Sequence, residues 1–95
     1  MPINKQVEEI IEKIKTSTFT SNQIMLYNLK LNNNDIFSLM TAIKQNPEVA
    51  QTITHIDISE NDITEIFIPA ALCNLETLKA NKNQLSSLTI LGPFA

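Results

Sequence analysis

Glycine occurs once in this 95-residue sequence, at position 92, and cysteine once, at position 73. With one glycine no Gly-rich phosphate-binding loop can form, because such loops need several positions where the backbone approaches the ligand unhindered. A lone cysteine excludes an intramolecular disulfide, and with it the small disulfide-capped repeat domains of secreted proteins. Cys73 follows Leu72 and precedes Leu75, and it reads as a buried small filler, since a reactive thiol needs a basic partner that the sequence does not place beside it. None of the eleven asparagines stands in an N-x-[ST] sequon, which disfavours a glycosylated extracellular setting. No apolar run is long enough for a signal peptide or a membrane span.

Basic residues are also few: seven against ten acidic, a net charge of -3. That leaves no cationic footprint for phosphate backbones, so nucleic acid is not an expected partner. The one histidine, His55, has no second His or Cys at ligand spacing and is read as a solvated surface residue, so neither metal nor cofactor is expected. A nucleophile elbow and a paired-carboxylate pocket are missing too, and the expectation is a protein that is not an enzyme.

What is present is a spacing. Ile53, Ile56, Ile58, Asn61, Ile63 and Ile66 follow the pattern L-x-x-L-x-L-x-x-N-x-L-x-x-L. The same spacing is met upstream at Leu26, Leu29, Leu31, Asn34 and Ile36, and downstream at Leu75, Leu78, Ala80, Asn83, Leu85 and Leu88. Within Ile56-Asp57-Ile58 the period is two, so both isoleucines point to one side of a short strand and Asp57 to the other. Asparagine then turns the chain, its amide satisfying backbone groups that a curved turn leaves unpaired. On this reading Asn34, Asn61 and Asn83 form a structural column inside the stack.

Ahead of the repeats, Ile3, Val7, Ile10, Ile11 and Ile14 recur at helical spacing. Asn4 is placed to cap that helix, and acid precedes base along it, as the helix dipole favours. A stack of repeats needs its apolar end covered, so residues 1–22 are read as a capping helix and link, in preference to a partner-binding or membrane-binding helix. Residues 23–95 hold about three repeats and a rudimentary C-terminal cap. In the first repeat, counted as 27 residues from Leu26 to Ile53, Ile24 to Leu31 are the strand region, Asn32 to Asp35 form a turn, and Ile36 to Gln45 a helix stopped by Pro47. In the second, FIPAALCNL is too short for a full helix and predicts an irregular or 3₁₀ return. Ile90, Leu91 and Phe94 carry no new asparagine, and Gly92-Pro93 breaks the period. They read as an incomplete cap on an edge open to self-association.

These motifs resemble leucine-rich-repeat proteins over roughly residues 24–88. The first half, AIKQNPEVAQTITHIDISENDI, is similar to the ribonuclease-inhibitor-like subclass, in which strand alternates with helix, and the second half to shorter-repeat subclasses. The resemblance implies an α/β solenoid with parallel strands on one face. Ala80, where leucine is usual, implies a shallower core in the last repeat. The Asn-, Ile- and Lys-rich wording also resembles repeat proteins of bacteria that secrete effectors into host cells. The expected location is therefore cytoplasmic or, for an effector, a host cell.

Solenoids usually bind partners on the strand face. The expected partner is another protein, met by three rows of outward side chains: Asn28, His55, Thr77; Lys30, Asp57, Lys79; and Asn32, Ser59, Asn81. Asn33, Glu60 and Lys82 would lie at the rim. The alternating signs of Lys30, Asp57 and Lys79 avoid like-charge neighbours. Read blandly, the row is a solvated charge ladder worth little; read functionally, it is a patch complementary to a partner. The alternative to a binding face is an assembly or spacer element that self-associates through its C-terminal edge.

Overall fold

The computed structural model describes residues 2–91, and the side chains of residues 2–86. The chain runs α1 (Lys5–Lys15), β1 (Gln23–Met25), α2 (Asn33–Gln45), α3 (Pro47–Ala50), β2 (His55–Asp57), β3 (Glu65–Pro69), β4 (Thr77–Lys79) and β5 (Ser87–Leu91). It is an α/β fold with two parallel sheets: one of three strands in the order β1-β2-β4, the other pairing β3 with β5. Among the described residues no helix is long and apolar enough to cross a membrane.

Helix α1 begins where Asn4 accepts bonds from the backbone N–H groups of Gln6 and Val7, at 2.8 and 3.2 Å. It buries Val7, Ile11 and Ile14 and packs on α2. Asn46, at the α2–α3 junction, reaches back to donate to the Ile14 carbonyl at 2.7 Å and to Ser17 Oγ at 3.0 Å, which ties the end of α1 to the end of α2.

Helix α2 starts three residues earlier than its apolar periodicity suggests. Asn32 accepts from the Asp35 N–H at 3.0 Å, and Asp35 Oδ2 accepts from the Asn32 N–H at 3.0 Å. This reciprocal capping box turns what reads as a loop of polar residues into a helix N-terminus. The other oxygen of Asp35, a residue only 4% exposed, accepts from the Asn4 N–H at 2.9 Å. One buried carboxylate thus joins the starts of both long helices.

The return of the second unit is a strand. Ile66 and Ile68 are buried while Glu65 is exposed, the period-two pattern of a pleated segment. β3 lies beside α2 and pairs with β5 from Glu65↔Ser87 to Pro69↔Leu91. So Ile90 and Leu91, read from sequence as an incomplete cap, belong to a paired strand; Gly92, Pro93 and Phe94 lie outside the described residues. The expected 3₁₀ return is replaced because β5 offers β3 a hydrogen-bonding partner that a turn of helix could not use.

A single apolar core lies between the β1-β2-β4 sheet and the α2, β3 layer. Ile24 and Ile56 enter it from the strands, Ile36, Leu39, Met40 and Ile43 from α2, and Ile66 and Ile68 from β3. Leu78 and Ala80 on the β4 side are only half-buried, so the core thins toward that end. Cys73 is exposed, contrary to the buried filler read from sequence: it follows Leu72, which is the residue of that turn that enters the core.

Candidate interaction face

The outward face of the three-stranded sheet is set by register. Gln23 pairs with His55 and His55 with Thr77; Ile24 with Ile56 and Ile56 with Leu78; Met25 with Asp57 and Asp57 with Lys79. The β2 to β4 step is 22 residues, as the spacing predicts, but the β1 to β2 step is 32. The first strand therefore starts earlier than Leu26-x-x-Leu29-x-Leu31 implies.

The consequence falls on the rows. His55, Asp57, Thr77, Lys79 and Asn81 keep the relative places expected of them; Ser59 keeps its row but is buried, 8% exposed, where it was expected to face outward, and the β1-side neighbours are Gln23, Met25 and Tyr27, not Asn28, Lys30 and Asn32. Asn28 moves to the rim, donating its N–H to the Ser59 carbonyl at 3.0 Å as Glu60 donates to Asn81 at 2.8 Å. Lys30 is exposed beyond the turn at φ 56°, so no Lys30–Asp57–Lys79 ladder exists. Asn32 is the cap of α2 and has left the face. Asn33 is not at the rim either: it spends its side chain on Thr64, with Oδ1 accepting from the Thr64 N–H at 2.9 Å and Nδ2 donating to Oγ1 at 2.8 Å.

Below the strands two asparagines do equivalent work. Asn61 Oδ1 accepts from the N–H groups of Leu29 and Leu31 at 3.0 and 2.9 Å, and its Nδ2 donates to the carbonyls of Leu26, Ile58 and Ser59 at 2.9, 2.8 and 3.1 Å. One unit later Asn83 accepts from the Ile63 N–H at 3.1 Å and donates to Ile58 and Ala80 at 3.0 and 3.1 Å. Each asparagine closes its own turn and the turn before it. Asn34 is no part of this column: it lies exposed in the first turn of α2. The place aligned with Asn61 and Asn83 is held by Leu29, half-buried against the core. The reason is the direction of the bonds: among the described residues the element before β1 is helix α1, which offers no strand turn for an amide to close.

The turns after the strands share a backbone device. Asn28, Glu60 and Lys82 have φ of 56, 58 and 56°, the left-handed region that asparagine and glycine enter more readily than glutamate or lysine. These turns lift Glu60 and Lys82 to the edge of the face, where both are exposed. The face itself is held firmly. Asp57 Oδ1 accepts from the Ser59 N–H at 3.0 Å, and Ser59 Oγ accepts from the Asn81 N–H at 3.1 Å. His55 Nδ1 lies 2.7 Å from Thr54 Oγ1.

Sequence reasoning passed over two residues of this face. Met25 and Tyr27 are 56% and 55% exposed, and Tyr27 walls a shallow depression of about 300 Å³ that Asp57, Glu60, Lys79 and Lys82 also line. The signal lay in the alternation of Ile24 and Leu26 inward with Met25 and Tyr27 outward. On the opposite side Phe37, 59% exposed, meets Phe67 edge-on at 5.6 Å beside a hollow of about 410 Å³.

Comparison of the chain with protein-family models, with curated proteins and with solved structures finds no match.

Proposed function

We propose that the chain is a short leucine-rich-repeat solenoid whose work is non-enzymatic: it binds another protein through the outward face of its three parallel strands. The observation that carries this is the pair Met25 and Tyr27, each more than half exposed, set in register beside Asp57 and Ser59 on a sheet whose turns are pinned by Asn61 and Asn83. Large apolar side chains on an otherwise polar, rigid surface supply binding energy at low ordering cost, and aromatic residues are enriched among such anchors. The recurrence of one hydrogen-bond pattern at Asn61 and Asn83, and the 22-residue step shared by β2–β4 and β3–β5, support the repeat reading.

Affinity capture from lysate of the source cells tests it, comparing the wild-type chain with a Met25→Glu, Tyr27→Glu variant checked for folding by circular dichroism. Proteins recovered by the wild type and lost by the variant support the face. Equal recoveries by both remove it.

A second reading, assembly through the C-terminal end, draws on β4 and β5 each standing last in the strand order of its sheet. It requires a mass in solution that rises with concentration, and a strictly monomeric chain by light scattering sinks it.

A further inference from the structure

The strand face is ordered in sign from one edge to the other. Register places Met25 and Tyr27 on the β1 side, Asp57 and Glu60 along β2 and its turn, and Lys79 and Lys82 along β4 and its turn. The charged side chains of each column are of one sign, set among the neutral Gln23, His55, Thr77 and Asn81, and neighbouring columns stand about 4.8 Å apart, the spacing of paired strands. The acidic column lies directly beside the basic one, so the face compensates its own charge without a partner.

Two of these charges are kept at a conformational cost. Glu60 and Lys82 have φ of 58 and 56°, where a non-glycine residue other than asparagine is disfavoured by about 1 to 2 kcal/mol. At the equivalent place in the first unit, next to the apolar column, stands the residue that fits the backbone best, Asn28. Lys30 and Ser17, away from the face, have φ of 56 and 59° as well, so the strain belongs to the turns and the order of charge is what carries the selection.

We propose that the face recognises a helical segment of a partner protein lying across the strands, with an apolar residue, then Lys or Arg, then Asp or Glu at successive turns. The apolar residue meets Met25 and Tyr27, the cation meets Asp57 and Glu60, and the anion meets Lys79 and Lys82. A helix fits this order because residues three or four apart are neighbours on one side, about 5 to 6 Å from each other, close to the spacing of the columns. An extended segment repeats its side chains about every 6.6 Å and drifts out of step by the third column. The depression of about 300 Å³ bounded by Tyr27 and the two lysines is shallow enough to take a helix lying on it. The proposal rests on the strand face being the binding surface and specifies what that surface selects.

The test is a displayed library of alanine-based helical peptides randomised at one side, selected on the wild-type chain. A second bait carries the inverted order, Asp57→Lys, Glu60→Lys, Lys79→Glu and Lys82→Glu, which keeps net charge and column compensation; its fold is checked by circular dichroism. The expected peptides carry apolar, basic and acidic residues in that order one turn apart. They bind the inverted bait at least about tenfold more weakly, and the inverted bait selects apolar, acidic, basic. Peptides that are lost on Met25→Glu, Tyr27→Glu yet show no charge order overturn the selection rule and leave the face standing. Peptides indifferent to every change on the face overturn both. Absence of any enriched helix overturns the rule as well.

Discussion

The side-chain amide of Asn61 donates to the carbonyl of Leu26 at 2.9 Å, across 35 positions of sequence and from one strand unit to the one before it. Asn83 does the same to Ile58 at 3.0 Å. This backward reach makes the asparagines the links between successive strand turns, and it sets which substitutions the fold tolerates.

Replacing Asn61 by alanine leaves the Leu29 and Leu31 N–H groups and the Leu26 carbonyl without their partner in a buried setting, and the expected loss is about 3 kcal/mol. Asn83→Ala, at a half-buried place, costs about 1 to 2 kcal/mol. Asn34→Ala stays within about 0.5 kcal/mol, as exposed positions do. Urea denaturation of the three variants checks the order, and a large effect at position 34 contradicts the column described here.

Leu29→Asn tests the direction of the column from the other end. The new amide has no earlier unit to serve, and the apolar contact of Leu29 with the core is lost. The variant is expected to be less stable by about 1 kcal/mol. A stabilised variant contradicts the argument that leucine stands there for want of a preceding turn.

At Glu60 and Lys82 the backbone, not packing, sets the cost. Val at either position is expected to destabilise by about 1 to 2 kcal/mol, because a β-branched residue resists positive φ. Gly relieves the strain and loses unfolded-chain order, so Glu60→Gly and Lys82→Gly stay within about 1 kcal/mol of wild type. Thermal melts read both, a shift of about 4 to 8 °C corresponding to 1 kcal/mol in a domain of this size.

Asp35 joins the caps of α1 and α2 through Asn4 and Asn32. Asp35→Ala leaves both N–H groups unpartnered and is expected to cost about 2 to 3 kcal/mol. Asp35→Asn, which keeps one acceptor, costs less. Amide exchange at positions 4 and 32 reports the two bonds separately, and unchanged protection in the alanine variant contradicts the assignment.

The second and third strands were legible in the sequence because Ile56-x-Ile58-x-x-Asn61 and Leu78-x-Ala80-x-x-Asn83 carry apolar residues and an asparagine at the same spacing. The first was not. Ile24, Leu26, Leu29 and Leu31 satisfy the apolar alternation in two frames, and the search for an asparagine chose the frame ending at Asn34, where the structure needs none. That shift hid Met25 and Tyr27 and put Lys30 and Asn32 in their place. The helix start was missed for a related reason: Asn32 and Asp35 read as a turn until their reciprocal bonds are seen. The β3 return was hidden by Pro69, since its pairing with β5 depends on a segment 22 residues away.

The most direct test of the account separates the face that register builds from the face that spacing alone suggests. A partner recovered by affinity capture is titrated against Met25→Glu, Tyr27→Ala and Lys30→Glu, each confirmed as folded. Losses of about 10-fold or more at Met25 and Tyr27, with Lys30 near wild type, are the predicted result, since truncating a large apolar or aromatic anchor costs upward of 1 kcal/mol. Affinity lost at Lys30 and kept at both Met25 and Tyr27 would contradict it.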